Sequence, residues 1–163
     1  RVAGHVDTRY TPPMSVYEAR SSHDASTMLG VRITETCVDL YGPRLGGLFL
    51  FGSRITGTAR PDSDWDVGVW LSGPIRRRAT WLPWVAAFGD WPETLDPTFF
   101  TESSLDEPSG WLLEAVQGGV RVIHDPSGML AAALARIDGE IRTGRVHRQL
   151  FMGLQYYRRA VTA

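Results

Sequence analysis

Lysine is absent from this chain of 163 residues, and all 17 basic side chains are arginine. That removes Schiff-base chemistry and a Walker-type lysine, and leaves arginine for any contact with phosphate. A single cysteine, Cys37, excludes an internal disulfide and any multi-cysteine metal site, and its apolar neighbours suit simple packing. No signal peptide or membrane-spanning run is found, so a cytoplasmic protein without a membrane partner is expected. Net charge of either sign is nearly absent too. A net charge of −1 and a pI near 6.5 give no global pull toward nucleic acid. A hydrophobic content of 43% is enough for one domain with a real core.

What is present is concentrated between Gly47 and Leu71. An apolar run, Leu48 to Phe51, ends in Gly52-Ser53; after ten intervening residues come Asp64 and Asp66, followed by a second apolar run, Val67 to Leu71. Runs this short, rich in Val and Phe and bounded by Gly and Pro, predict buried strands. Strand side chains alternate, so Asp64 and Asp66 are expected on one side and Trp65 on the other. Two converging carboxylates repel unless cations lie between them, and hard divalent ions such as Mg²⁺ take oxygen ligands while keeping room for substrate phosphates. Glycine allows close backbone approach to a phosphate, and the N–H groups of the turn with the Ser53 hydroxyl can donate to it. The parts together describe phosphoryl or nucleotidyl transfer with paired metal ions. Taken alone, Asp62, Asp64 and Asp66 would read as a polar loop tip.

The pattern Gly-Ser, ten residues, Asp-x-Asp, met by Gly52, Ser53, Asp64 and Asp66, resembles the nucleotidyltransferase superfamily of the DNA polymerase beta type, especially its minimal nucleotidyltransferase branch. Arg54, Gly57, Ala59 and Ser63 are also typical of it. The resemblance covers residues 24 to 126. It implies a mixed α/β fold with a central sheet of about four strands, flanking helices, and a helix packed ahead of the first strand. It also implies a third acid on a neighbouring strand, and Asp96 in Thr94 to Phe100 is the candidate, as metal ligand and as base for the acceptor hydroxyl. Pro97 beside it fits a strand start or edge, and the plain alternative is a turn acid before proline. Asp90, Glu93 and Glu102 are weaker rivals.

Around this core, residues 1–23 read as an irregular arm with a short helix near Val16 to Arg20. Leu29, Ile33, Cys37, Leu40 and Tyr41 share one helical face, with Asp24 or Ser26 as N-cap and Gly42-Pro43 as the stop. A helix carrying Leu82, Val85, Ala86 and Phe88 is expected, with Pro83 in its first turn and Arg76-Arg77-Arg78 ahead of it. Those arginines are either a solvated face or a contact for phosphate or an acidic partner. Ser109 to Val116 predicts a short helix, and Val120 to His124 a fourth strand, with His124 on the surface or touching a nucleotide. Residues 127–163 are expected to form a C-terminal helical hairpin. Leu130, Leu134, Ile137 and Ile141 line one helix; Val146, Leu150, Leu154, Tyr157 and Val161 line the other. Phe151, Met152 and Tyr156, among arginines outside that stripe, suit a partner surface or a second buried face.

The resemblance implies transfer of a nucleoside monophosphate, AMP from ATP or another NTP, to a hydroxyl. Gly52, Ser53 and Arg54 would hold the nucleotide phosphates, and Asp64, Asp66 and Asp96 would bind two Mg²⁺. Minimal members pair with a helical HEPN toxin and modify its tyrosine, as antitoxins. Antibiotic-modifying members usually add a larger helical domain, for which the residues after the core are few. An inactive binding module is the third alternative.

Overall fold

The computed structural model describes residues 16–151 and 154–159. Helix α1 runs from Val16 to Tyr41 and ends on a 3-10 turn at Gly42–Arg44, where Gly42 and Pro43 break it. Leu29, Ile33, Cys37 and Tyr41 are buried on its inner face, as their spacing predicts, and burial pushes the Cys37 thiol up to about 12, which leaves it inert. The helix starts earlier than its apolar stripe. Asp24 and Ser26 are therefore interior residues and not caps, and the short helix expected near Val16 is the first part of α1.

Strand β1 (Leu45–Phe51) leads into a single-turn helix, α2 (Ser53–Thr56), and then to β2 (Trp65–Leu71). Helix α3 (Arg77–Phe88) crosses over to β3 (Leu95–Phe100), which lies parallel to β2. A short helix α4 (Glu102–Asp106) and α5 (Gly110–Gly118) precede β4 (Arg121–His124), which pairs antiparallel with β1. The sheet is four-stranded and mixed, in the order β3-β2-β1-β4. Each of its faces is covered. Leu48, Leu50, Val67, Val69 and Leu71 pack with α1 and α3, while Phe49, Trp70 and Phe100 pack with α4, α5 and α6 (Met129–Arg142).

Helix α3 departs from expectation in two ways. Pro83 lies inside it and not in the first turn, because the helix already begins at Arg77. Its buried face is Thr80, Trp84 and Phe88, whereas Leu82 and Val85 point outward. The aromatic rings decide the rotation: Trp84 stacks 4.1 Å from Phe88 and edge-on to Phe99 at 5.7 Å, and such contacts outweigh the smaller aliphatic groups.

The expected C-terminal helical hairpin is corrected in its second half. Helix α6 forms with Leu130, Leu134 and Ile137 buried, and the Asp125 carboxylate accepts from the N–H groups of Leu130 and Ala131 at its start. The segment after it is a β-hairpin, β5 (Val146–Phe151) with β6 (Leu154–Arg159). Val146 and Leu150 are four apart, a spacing that satisfies a strand's period of two as well as a helical turn, while Leu154 falls on the next strand, paired with Phe151. Gly153, in the sequence between them, penalises a helix by about 1 kcal/mol. Phe151 and Tyr156 thus fall on strands, and Met152 lies outside the described residues. The hairpin docks on α5, where Tyr157 donates to the Gln117 side chain at 2.9 Å and Arg148 meets Glu114 at 3.2 Å.

Candidate active site

Strand register brings two acids together. Asp66 is opposite Phe51 across the β1/β2 ladder and beside Asp96 across the parallel β2/β3 ladder. Adjacent residues in register project to the same face. That face is the one carrying Trp70 and Phe100, under α5 and α6. Asp64 lies just before β2 in the loop, exposed, rather than on the strand itself. The start of β2 is tied to β3 by the Trp65 N–H, which donates to the Thr94 carbonyl at 2.9 Å. Because that carbonyl faces β2, alternation turns the backbone position of Pro97 outward from the sheet edge. A missing N–H costs no ladder bond there, so proline beside Asp96 is tolerated.

Gly52 sits directly beneath Asp66. Its φ is +76°, and a Cβ at this position would meet the Asp66 carboxylate oxygen at 1.9 Å. Only glycine fits both the backbone conformation and the contact. The Gly52 carbonyl accepts from the N–H groups of Ile55 and Thr56 at 3.1 Å, which starts α2 at Ser53. The first N–H groups of a helix have no partner within it, so this turn presents donors next to the carboxylates.

Crowding shows in the titration of Asp66. Its carboxyl is raised above the usual range, first by burial, then by the negative charges of Asp96 and Asp64, with a backbone hydrogen bond opposing. Removal from water and like charge both disfavour the ionised form. Asp66 therefore responds to both neighbouring acids. Even so, no group of three or more His, Cys, Asp or Glu side chains among the described residues is gathered tightly enough to hold a metal ion alone.

Residues 32–108 match the family model of the nucleotidyltransferase domain. The match runs from the second half of α1 to just past α4 and includes Gly52, Ser53, Arg54, Asp64, Asp66 and Asp96. No match is found among curated proteins. Two solved structures share the nucleotidyltransferase fold. One is a toxin-antitoxin crystallised with AMP-PNP, 18% identical with a TM-score of 0.53, covering 71% of this chain and 89% of that one. The other is the tri-AMPylated HEPN toxin of Shewanella oneidensis with its MNT antitoxin, 16% identical with a TM-score of 0.50, covering 73% and 89%.

Within the matched segment, Arg54 has an occupation that the sequence did not reveal. Its Nε donates to the Ser63 carbonyl at 2.8 Å, its Nη2 to the carbonyls of Ser63 and Pro61, and the guanidinium lies 5.3 Å from the centre of the Trp65 ring. It closes the loop between Ser53 and Asp64 on itself. A second unanticipated feature is an aromatic wall: the Phe51 ring, on the same face as Asp66, lies 5.9 Å from Trp111, which lies 5.7 Å from Phe100. A tryptophan opening a helix gives no sign in sequence that it will stand beside the acids. His124 lies at the far end of β4, paired with Leu48, away from them.

Proposed function

We propose that this chain transfers AMP from ATP to a hydroxyl acceptor, a tyrosine of a partner toxin of the HEPN type, and so acts as an antitoxin. The observation that carries the reading is Asp66 held beside Asp96 with the Gly52 backbone pressed against it. The structural neighbours, one holding AMP-PNP and one an AMPylated HEPN toxin, support the choice of nucleotide and acceptor.

The donor set fits Mg²⁺. All three candidate ligands, Asp64, Asp66 and Asp96, are carboxylates, and the raised titration of Asp66, caused first by burial and then by the charges of Asp96 and Asp64, is what a bound cation would relieve. A loose group of acids also suits an ion that keeps part of its shell for substrate phosphates. Two Mg²⁺ held there would neutralise triphosphate charge and polarise the reacting phosphate. The chain's own groups do the rest. The Gly52-Ser53 turn donates to phosphate oxygens, and Arg54 keeps that turn and the Asp64 loop in place. Asp96 accepts the proton of the acceptor hydroxyl as its oxygen bonds to the α-phosphorus and pyrophosphate leaves.

A binding module without catalysis is the competing reading, favoured by the lack of a tight three-acid cluster among the described residues. Two measurements separate them. Calorimetry should show ATP binding at least ~10-fold weaker in EDTA than in Mg²⁺, since a lysine-free phosphate turn needs cations. Label from α-labelled ATP should appear on a tyrosine of the partner toxin. Metal-independent binding with no transfer would leave the module.

A further inference from the structure

We propose that the outer face of α3 is a docking surface for a protein partner that presents an acidic helix with an apolar anchor. This surface lies on the opposite face of the sheet from Asp66 and Asp96, so it stands independently of the transfer reaction.

The basic end is built by Arg76, Arg77 and Arg78, all exposed and in no ion pair among the described residues. They occupy the N-terminus of α3, where positive charge opposes the helix dipole. The helix itself, Arg77–Phe88, holds no Asp or Glu to balance them. An acidic partner would supply the balancing charge. Farther along, Trp81, Leu82 and Val85 are 42%, 56% and 48% exposed, which is unusual for three large apolar groups within one helical turn of each other. Arg77, Trp81 and Val85 are spaced by four and share one face. From Arg77 to Val85 the distance along the axis is about 12 Å at 1.5 Å per residue.

The apolar end is concave. A cleft of about 180 Å³ opens beside it, walled mainly by Trp81, Trp84, Val85, Phe88 and Trp91, with Glu93 also at its lining, where it is paired with Arg32 at 3.8 Å. A concave aromatic cleft receives one inserted side chain, as at the centre of protein interfaces. A phosphate backbone would use the arginines and leave the cleft empty. A membrane would favour protruding groups over a recess. The partner that satisfies both ends carries carboxylates and, two helical turns away, a Leu or Phe.

The probe is a synthetic helical peptide with a glutamate cluster at one end and a leucine and phenylalanine two turns farther on the same face. Titrated into the full chain with tryptophan fluorescence as readout, it should bind saturably and weaken as salt rises. Affinity should fall at least ~10-fold in Arg76→Gln/Arg77→Gln/Arg78→Gln and, separately, in Leu82→Ser, and stay unchanged in Asp66→Asn. Melting curves confirm that each variant is folded, which exposed positions permit. Absence of saturable binding, or equal affinity in wild type and both variants, overturns the proposal. So does tight binding of anionic vesicles or of an oligonucleotide with no peptide binding, and so does a dimer of this chain that Leu82→Ser dissociates.

Discussion

Along β2, Val67, Val69 and Leu71 point into the layer beneath α1 and α3, while Asp66, Gly68 and Trp70 point to the other side. The first set is uniformly aliphatic and fully buried. The second runs from a carboxylate at the open end, through a glycine whose missing Cβ leaves space for the Phe49 ring, to a buried tryptophan. One face is built for stability throughout; the other gives up side-chain volume and solvation at one end to bring acids together. Charge is tolerated only there because the end is half-open, with Asp66 neither fully wet nor fully dry.

The sharpest test substitutes one residue from each face. Asp66→Asn should cut nucleotidyl transfer by at least ~100-fold, the scale for losing one electrostatic stabiliser, with the melting temperature preserved. Leu71→Ala should do the reverse, costing about 2 to 5 kcal/mol of stability while turnover per folded molecule holds. Radiolabel transfer and denaturant melts on both variants measure the pair, and matching losses in both quantities would erase the distinction between the faces.

A smaller effect is expected at the contact between turn and acid. Gly52→Ala must strain a positive φ and push the Asp66 carboxylate aside, so a destabilisation of about 1 to 3 kcal/mol should accompany loss of the Mg²⁺-dependent rise in melting temperature. A variant as stable as wild type, with its metal response intact, would show that the turn can move away.

The smallest effect is in pH dependence. The Asp66 carboxyl titrates higher in the folded chain than in the unfolded one. Stability from this group is therefore complete below the unfolded carboxyl value and declines as pH rises through the folded one. Without metal, Asp66→Asn should flatten that decline and be at least as stable as wild type at neutral pH, while matching it in acid. Melting curves against pH in EDTA would reveal it; parallel curves would mean that Asp66 feels no crowding.

Local pattern made parts of the molecule legible from sequence. The stripe Leu29, Ile33, Cys37, Tyr41 gave the inner face of α1, and Gly52-Ser53 between apolar runs gave β1 and β2. Asp96-Pro97 was readable as an edge strand because proline excludes the sheet interior. What pattern does not encode is the pairing of strands distant in sequence. The contact of Gly52 with Asp66 and the register of Asp66 with Asp96 arise from ladders, and the single turn of α2 is too short to leave a periodic trace. Arg54 looked free for phosphate, since nothing local shows that the loop carbonyls of Pro61 and Ser63 fold back to it. Residues 146 to 159 were misread as helix because a spacing of four serves both periods, and Gly153 was the signal against it.

Strand β3 has a single neighbour, β2, and its outer side begins where Pro97 contributes no donor. An edge strand can part from its neighbour at less free energy than the whole domain needs to unfold. Opening at that edge would carry Asp96 away while Asp66 stays fixed between Phe51 and Gly52 in the middle of the sheet. The acid pair thus joins a permanent member to a detachable one, and fraying confined to the start of β3 at Leu95 to Pro97 would dismantle the site while Phe99 and Phe100 hold their places in the two hydrophobic layers.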